Sequence, residues 1–277
     1  MTKALKAAVI GCPVGHSLSP LIHNYWIEKY GLGGNYDARE IQPEQLKDGL
    51  ARLVEEGYAG FSVTIPHKQA VMELCETIDE TARRIGAVNC LAVGEDGAID
   101  GLNTDWFGFV ENVKEAAPDF DFAARPALVL GAGGAARAII YGLQRRGAKT
   151  IMVANRTSDK TAPLAADFGI EAVGWEDREK AARDAGLLVN TTSAGMTGKP
   201  LLELKVAVLP KDALVCDIVY NPLRTALLQA AAAHGNIVVE GLGMLLHQAR
   251  PAFARWTGIM PEVTAELRGK LLERLAR

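Results

Sequence analysis

The sequence predicts an α/β protein of two domains, an N-terminal open α/β domain and a second, Rossmann-like one. Three observations carry this. Strand-like and helix-like patterns alternate along most of the chain, as in mainly parallel sheets with helices on both faces. A glycine-rich turn, Gly131 to Ala136, stands between an apolar run and a periodic helix. The 277 residues exceed one typical domain and give a prior near two.

The elements follow in order. An apolar run from Ala7 to Gly11 predicts a first strand, Pro20 to Tyr30 a helix, and Tyr36 to Ile41 an extended segment. Then come a helix from Pro43 to Glu56, a strand from Phe61 to Ile65 stopped by Pro66, a helix from His67, and a strand from Ala87 to Val93. Trp106 to Ala117 reads as a helix, and the polar, proline-flanked stretch Pro118 to Pro126 as a linker. The second series opens with the strand Ala127 to Leu130 and a helix to Arg146. Strands follow at Thr150 to Ala154, Leu187 to Asn190, Ala213 to Tyr220 and Ile237 to Val239. After Gly243 only helical patterns remain, Met244 to Trp256 and Pro261 to Leu275.

Composition excludes several classes. Hydrophobic residues make up 49% and charged residues 23% of the chain, ordinary globular values that exclude disorder as the main state. Thirty basic against 33 acidic residues leave a net charge of −3, so neither nucleic acid nor an anionic membrane is an expected partner. No stretch approaches ~18 uninterrupted apolar residues, the length a membrane span needs. Lys3 and Lys6 precede an apolar run cut short by Pro13, without a small-residue cleavage site, which reads as a strand rather than a signal peptide. Cys12, Cys75, Cys90 and Cys216 lie far apart with no Cys-x-x-Cys pair, so reduced thiols, no metal site and a cytoplasmic location are expected. Gly is out of line at 28 residues, about a tenth of the chain where roughly 7% is typical.

Some of that glycine carries chemistry. Gly131, Gly133 and Ala136 form G-x-G-x-x-A after a strand and before a helix: the first permits the tight turn, the second lets backbone approach a pyrophosphate, and the third allows close packing. Phosphates would then rest on free N–H groups at a helix N-terminus. About twenty residues on, where an NAD site would place an acidic residue on the ribose, this chain has Asn155-Arg156-Thr157-Ser158-Asp159-Lys160. Arg156 offers a planar charged fork for a 2′-phosphate and Lys160 a second charge, which favours NADP. The plainer account has both as solvated surface residues, with Asn155 and Thr157 capping the next helix.

A polar set marks the first domain. Ser17-Leu18-Ser19-Pro20 precedes a helix, with Ser19 as N-cap and Pro20 at the first helical position, while Ser17 is left over for an anion such as a carboxylate. Thr64 and Lys68 fall at the end of a strand, where open α/β sheets bind ligands. Asn89 interrupts apolar neighbours, as a satisfied buried amide or a ligand contact, and Asp105 directly precedes a helix, as a cap or a functional carboxylate.

Taken in order, Gly15-His16-Ser17-Leu18-Ser19-Pro20, Thr64-Ile65-Pro66-His67-Lys68, Gly86-Ala87-Val88-Asn89, Asn103-Thr104-Asp105 and Gly131 to Ala135 carry a resemblance. Asn155-Arg156-Thr157, Asn190-Thr191-Thr192, Asp217 to Pro222, and Gly241 to Leu245 with Gln248 extend it. From about residue 9 to residue 250 the chain resembles the shikimate dehydrogenase family, which reduces 3-dehydroshikimate to shikimate with NADPH. Each motif alone is modest; the ordered set is specific.

The resemblance implies roles. Ser17 and Ser19, helped by Tyr220, would bind the shikimate carboxylate, and Thr64, Asn89, Asp105 and Gln248 the ring hydroxyls. Lys68 matches the family's catalytic lysine, paired with Asp105. Gly131, Ala132, Gly133, Gly134 and Ala135 would cradle the NADP pyrophosphate, Asn155, Arg156, Thr157 and Lys160 the 2′-phosphate, and Ile218 and Gly241 the nicotinamide end. Glu80 falls where the family has an acidic residue near the cofactor. The family often has Arg where this chain has Lys160, which keeps charge but loses the fork and makes a milder NADP preference the expectation. The resemblance further implies a discontinuous substrate domain, residues 1–105 and 243–277, an NADP-binding domain at 106–242, and an active-site cleft between them in a monomer or homodimer.

Oxidising a secondary alcohol needs a proton acceptor beside the hydroxyl and an open nicotinamide face. An unperturbed lysine, with a pKa of about 10.4, is a poor base at neutral pH unless burial or a cation lowers that value. The proton can therefore be assigned to Lys68 or to Asp105; the assignment adopted is Lys68 as acid/base, with Asp105 orienting it and the substrate. Two alternatives stand beside this reading: an NAD-dependent quinate/shikimate dehydrogenase, against which Arg156 argues, and a catalytically silent NADP-binding regulator, against which the retained Lys68 and Asp105 argue.

Overall fold

A computed structural model of the chain describes residues 4–276; Lys3 lies outside them. The chain divides into two compact units, one formed by residues up to Thr104 with those from Leu246 onward, the other by Asp105–Leu245.

The first unit is built on a six-stranded sheet. Its strands are β1 (Leu5–Gly11), β2 (Gly34–Glu40), β3 (Gly60–Val63), β4 (Thr77–Ile78), β5 (Cys90–Val93) and β6 (Ile99–Leu102), in the order β2-β1-β3-β5-β6-β4. β1 runs parallel to β2 and β3, but β5 is antiparallel to both β3 and β6. The expectation of a mainly parallel sheet is thus corrected here to a mixed one. The cause is a hairpin: Asp96-Gly97 turns the chain, with Gly94 N–H donating to Ala98 at 2.8 Å, and a hairpin forces antiparallel neighbours.

Side chains on a strand alternate between faces. Ala8 and Ile10 therefore join one core cluster with Phe61, Val63 and Leu91, against Leu46, Leu50 and Leu53 of a helix, α2 (Leu46–Glu55), that follows α1 (Ser19–Lys29). The predicted helix from Pro43 opens as a 3-10 turn, Pro43–Gln45. The helix predicted from His67 is replaced by a 3-10 turn at Ala70–Leu74, and the regular helix comes later, α3 (Glu80–Ile85), capped by Asp79 on the Ala82 N–H. The Lys68 carbonyl is committed elsewhere, accepting from Val88 N–H at 2.7 Å.

In the second unit the chain forms α4 (Asp105–Ala116), β7 (Ala127–Leu130), α5 (Gly134–Arg145), β8 (Ile151–Ala154), α6 (Ser158–Phe168), β9 (Glu171–Val173), α7 (Arg178–Ala182), β10 (Leu187–Asn190), β11 (Leu214–Asp217), α8 (Ala226–His234) and β12 (Ile237–Val239). The six strands are all parallel in the order β12-β11-β10-β7-β8-β9, the doubly wound arrangement with its switch point between β7 and β10. The alternation is visible in the core. Ala127, Val129, Leu187 and Val189 face α4, α5 and α6, whereas Leu128, Leu130 and Leu188 face α7 and α8. Both faces are covered, which is why these strands read as continuous apolar runs.

The final helices are α9 (Gly241–Thr257) and α10 (Ala265–Leu275). The last helix starts at Ala265 rather than Pro261, because Thr264 caps it on the Leu267 N–H while the Pro261 and Glu262 carbonyls take hydrogen bonds from Arg250 and Trp26. No helix among the described residues is long and apolar enough to cross a membrane.

Candidate active site

In the second unit β7 is followed by Gly131, whose N–H donates to Ala154 O at 2.8 Å. Its φ of +114° lies where side chains are strained, and a Cβ there would run into Thr191. Thr191 is itself fixed, its hydroxyl donating to Leu130 O at 2.7 Å. Gly133 occupies the N-cap position of α5, and no side chain caps the helix. It is exposed, and a Cβ on it would meet nothing within 4 Å, so the space over the first-turn N–H groups is open. Uncapped N–H groups beside open space suit an anionic group such as a phosphate.

The next helix repeats the arrangement. Thr157 holds the N-cap position of α6 without a side-chain cap, and Asn155 Nδ2 donates to Thr157 O at 2.9 Å, so neither side chain caps the helix. Arg156 and Lys160 are exposed beside this second free N-terminus, and Asp159 accepts from Ser158 Oγ at 3.4 Å.

At the end of β11 the strand stops earlier than predicted, because the Asp217 carboxylate folds back onto the Val219 N–H at 3.0 Å. Asp217 also accepts from Asn190 Nδ2 at 3.0 Å and Thr225 Oγ1 at 2.7 Å. Burial pushes its carboxyl up to about 6, against the lowering effect of those hydrogen bonds. Ile218 and Tyr220 follow, both half-buried. Gly241 lies against the backbone carbonyls of Ile218 and Val219 with no room for a Cβ, and Asn112 Nδ2 donates to the neighbouring Glu240 O at 2.9 Å.

In the first unit Thr64 and Lys68 lie on the loop leaving β3, both half-buried. The loop is strapped down by Thr64 N–H to Ile10 O at 3.0 Å and Cys12 N–H to Ile65 O at 3.0 Å. His67 between them is buried, its Nε2 2.8 Å from Ile41 O. Asn89 and Gln248 are buried and meet: Asn89 Nδ2 lies 3.1 Å from Gln248 Oε1 and 2.9 Å from Thr104 Oγ1, and Asn89 Oδ1 accepts the Thr104 N–H at 2.7 Å. Leu18, not Ser19, takes the N-cap position of α1; Ser19 is the first helical residue, and its N–H donates to Ser17 Oγ at 3.2 Å. Ser17 thus has a local partner, and Ser19 is buried.

Asp105 belongs to the second unit as the buried first residue of α4. Glu80 is exposed at the first position of α3 in the first unit, whereas the other residues expected at a cofactor lie in the second. Sequence reasoning missed Thr104, His67, Asn190 and Asp217 as parts of these networks. Each lies inside or beside a motif it singled out, and a polar residue within an apolar strand end is the signal that marks Asn190 and Asp217.

Comparison with known proteins adds three family models along the chain: the shikimate dehydrogenase substrate binding domain over residues 9–91, shikimate / quinate 5-dehydrogenase over 112–215, and the shikimate 5′-dehydrogenase C-terminal domain over 241–265. A shikimate dehydrogenase (NADP(+)) of Methylocella silvestris is 51% identical over 96% of this chain and 95% of its own. One from Paramagnetospirillum magneticum is 47% identical over 98% and 99%. The crystal structure of shikimate 5-dehydrogenase from Thermus thermophilus, in complex with NADP(H) and shikimate, superposes with a TM-score of 0.87 at 38% identity, covering 98% of this chain and 99% of that one.

Proposed function

Because the chain belongs to the shikimate dehydrogenase family, we propose that Lys68 and Asp105 carry out its reaction on a substrate held by Ser17, Ser19, Thr64, Asn89, Tyr220 and Gln248. The activity itself is the reversible NADPH-dependent reduction of 3-dehydroshikimate to shikimate, an oxidoreductase step of the shikimate pathway. The observation that carries the site reading is the buried set Asn89, Thr104 and Gln248, of which Thr104 directly precedes Asp105 in the chain, on the same unit as Thr64 and Lys68. Buried amides and hydroxyls of this kind suit a polyhydroxylated ring better than an apolar one, because an apolar ligand would desolvate these polar groups without offering hydrogen bonds.

The open space at Gly133 over the uncapped start of α5 fits a pyrophosphate, and Arg156 and Lys160 beside α6 fit a 2′-phosphate. When bound, the reduced nicotinamide supplies the hydride. Lys68 donates the proton to the carbonyl oxygen as the carbon becomes tetrahedral, and is then reprotonated from solvent. Asp105 orients the ammonium group and the substrate oxygen. Ser17 and Ser19, at the start of α1, hold the carboxylate with Tyr220, where the helix N-terminus adds its dipole. Residues up to about 105 and from about 243 form the substrate domain and 106–242 the cofactor domain, with Glu80 the one cofactor contact from the former. A cytoplasmic location accords with four free cysteines, and the chain is taken as a monomer or homodimer.

The test is turnover of shikimate with NADP, followed by reduced-nicotinamide absorbance, beside NAD and quinate. Faster turnover with NAD and quinate would favour the quinate reading, and binding without turnover the silent regulator. Lys68→Ala should bind shikimate yet lose about 10²- to 10⁴-fold in kcat, the usual range for a general acid/base; near-normal turnover would overturn the assignment.

A further inference from the structure

The Asp217 carboxylate joins three separate pieces of the second unit. Its Oδ1 accepts from Asn190 Nδ2 at the end of β10 and from the Val219 N–H in the loop that follows β11, both at 3.0 Å. Its Oδ2 accepts from Thr225 Oγ1 at the N-cap of α8, at 2.7 Å. Thr225 Oγ1 accepts the Leu228 N–H at 3.4 Å, so its one proton goes to Asp217. Asn190 passes the constraint on: its Oδ1 takes the N–H and hydroxyl of Thr192, at 3.1 and 2.7 Å. Capping α8 needs Thr225 alone, and ending β11 needs only the contact of Asp217 with the Val219 N–H. What the shared carboxylate adds is a fixed path for the segment between Asp217 and Thr225, which Gly241 closes from the other side against the Ile218 and Val219 carbonyls.

We propose that Asp217 is a positioning residue: through Asn190, Val219 and Thr225 it holds the Ile218–Tyr220 segment in the conformation that receives the nicotinamide end of the cofactor. The inference rests on the reading of Ile218 as a nicotinamide contact. The carboxylate is the right group for the task, since three donors converge on it and an amide offers only one acceptor oxygen. Burial raises its carboxyl to about 6 while the same three donors lower it, so the hydrogen bonds offset part of the cost of a buried charge.

Calorimetric titration of the full chain with NADP and with 2′-phospho-ADP-ribose, which has the phosphates but no nicotinamide, tests this. Asp217→Asn and Thr225→Val should each weaken NADP about fivefold or more, the worth of one hydrogen bond, while the fragment's Kd stays within about twofold of wild type. Partial unfolding weakens both ligands by the same factor or lowers the stoichiometry for both, so poor folding does not mimic a loss confined to NADP. Variants that keep the wild-type preference for NADP over the fragment, or that lose both ligands equally, overturn the proposal. A wild-type protein that binds the two ligands equally removes instead the reading of Ile218 on which it rests.

Discussion

Asn89 and Gln248 stand 159 positions apart in sequence, yet Asn89 Nδ2 lies 3.1 Å from Gln248 Oε1 in the first unit. Thr104 makes the contact three-cornered, since its N–H and hydroxyl both lie within hydrogen-bonding distance of Asn89 Oδ1. All three residues are buried, so removing one leaves the others short of partners, at about 1–3 kcal/mol for each unsatisfied group. Asn89→Ala and Gln248→Ala should each raise the KM for shikimate about 10-fold or more. The double variant should be less damaged than the product of the two, with a coupling of about 1–2 kcal/mol in a double-mutant cycle. Additive losses would mean that the two amides act separately.

Gly131 and Gly133 separate a folding requirement from a ligand requirement. At Gly131 the positive φ and the neighbouring Thr191 oppose any side chain, so Gly131→Ala should destabilise the protein by about 1–3 kcal/mol in urea unfolding. At Gly133 φ is −91° and a Cβ has open space. Gly133→Val should therefore lose no more than about 1 kcal/mol in urea unfolding, the cost of a poorer N-cap residue, while weakening NADP about 10-fold or more, because the side chain takes the volume a phosphate would use. Equal NADP affinity with intact folding would remove the phosphate from this turn.

The second unit was the more legible of the two. Its strands are covered on both faces, so Leu128 and Val129 are both apolar and the run ends at Gly131, a pattern that sequence shows directly. Apolar patterning marks strands and not their direction, which is why the antiparallel β5 of the first sheet has no trace in it. The Asp96-Gly97 turn was the available signal for the hairpin, but Ile99–Leu102 mixes Asp100 and Gly101 among its apolar residues. β4 and β9 span two and three residues, too short for periodicity. In the site, Thr64, Lys68 and Asn89 were visible as polar residues at strand ends. The partners of Asn89 were not, because a hydrogen bond to Gln248 has no local trace in sequence; the same holds for Asp217 with Thr225.

Arg156 follows Asn155 beside the uncapped start of α6, with Lys160 one turn on, and both are exposed. An exposed cation contributes little to folding, so Arg156→Ala should leave stability unchanged. Its guanidinium is suited to a bidentate pair with a 2′-phosphate. The expected outcome is a KM for NADP raised about 10- to 100-fold, roughly 1.4–2.8 kcal/mol, with the KM for NAD within about twofold. Lys160→Ala should show a smaller change in the same direction, as a point charge without the fork. Steady-state kinetics with both cofactors reads this, and a parallel loss with NAD would place Arg156 on a part common to the two.

His23 makes acid a destabilising condition. It is fully buried on α1, its ring stacked 4.2 Å from that of Tyr36 and within 6.0 Å of Trp26, Phe253 and Trp256, and neither ring nitrogen has a hydrogen-bond partner among the described residues. Burial pushes its pKa down from 6.5 to about 3. Between those values the unfolded chain holds a proton that the folded one excludes, so stability is lost as pH falls from 6.5 towards 3, by about 1.4 kcal/mol per pH unit. Asp217 acts oppositely: its carboxyl is raised from 3.8 to about 6, the folded state binds the proton more tightly there, and stability is regained as pH falls through that window. The two partly cancel in the wild type. His23→Phe, which keeps the stacking and removes the titration, should therefore gain about 2–3 kcal/mol on wild type between pH 7 and pH 4.5, whatever its offset at pH 7. Urea unfolding of both proteins at the two pH values measures the difference, and identical pH dependences would mean that His23 is not held neutral by the fold.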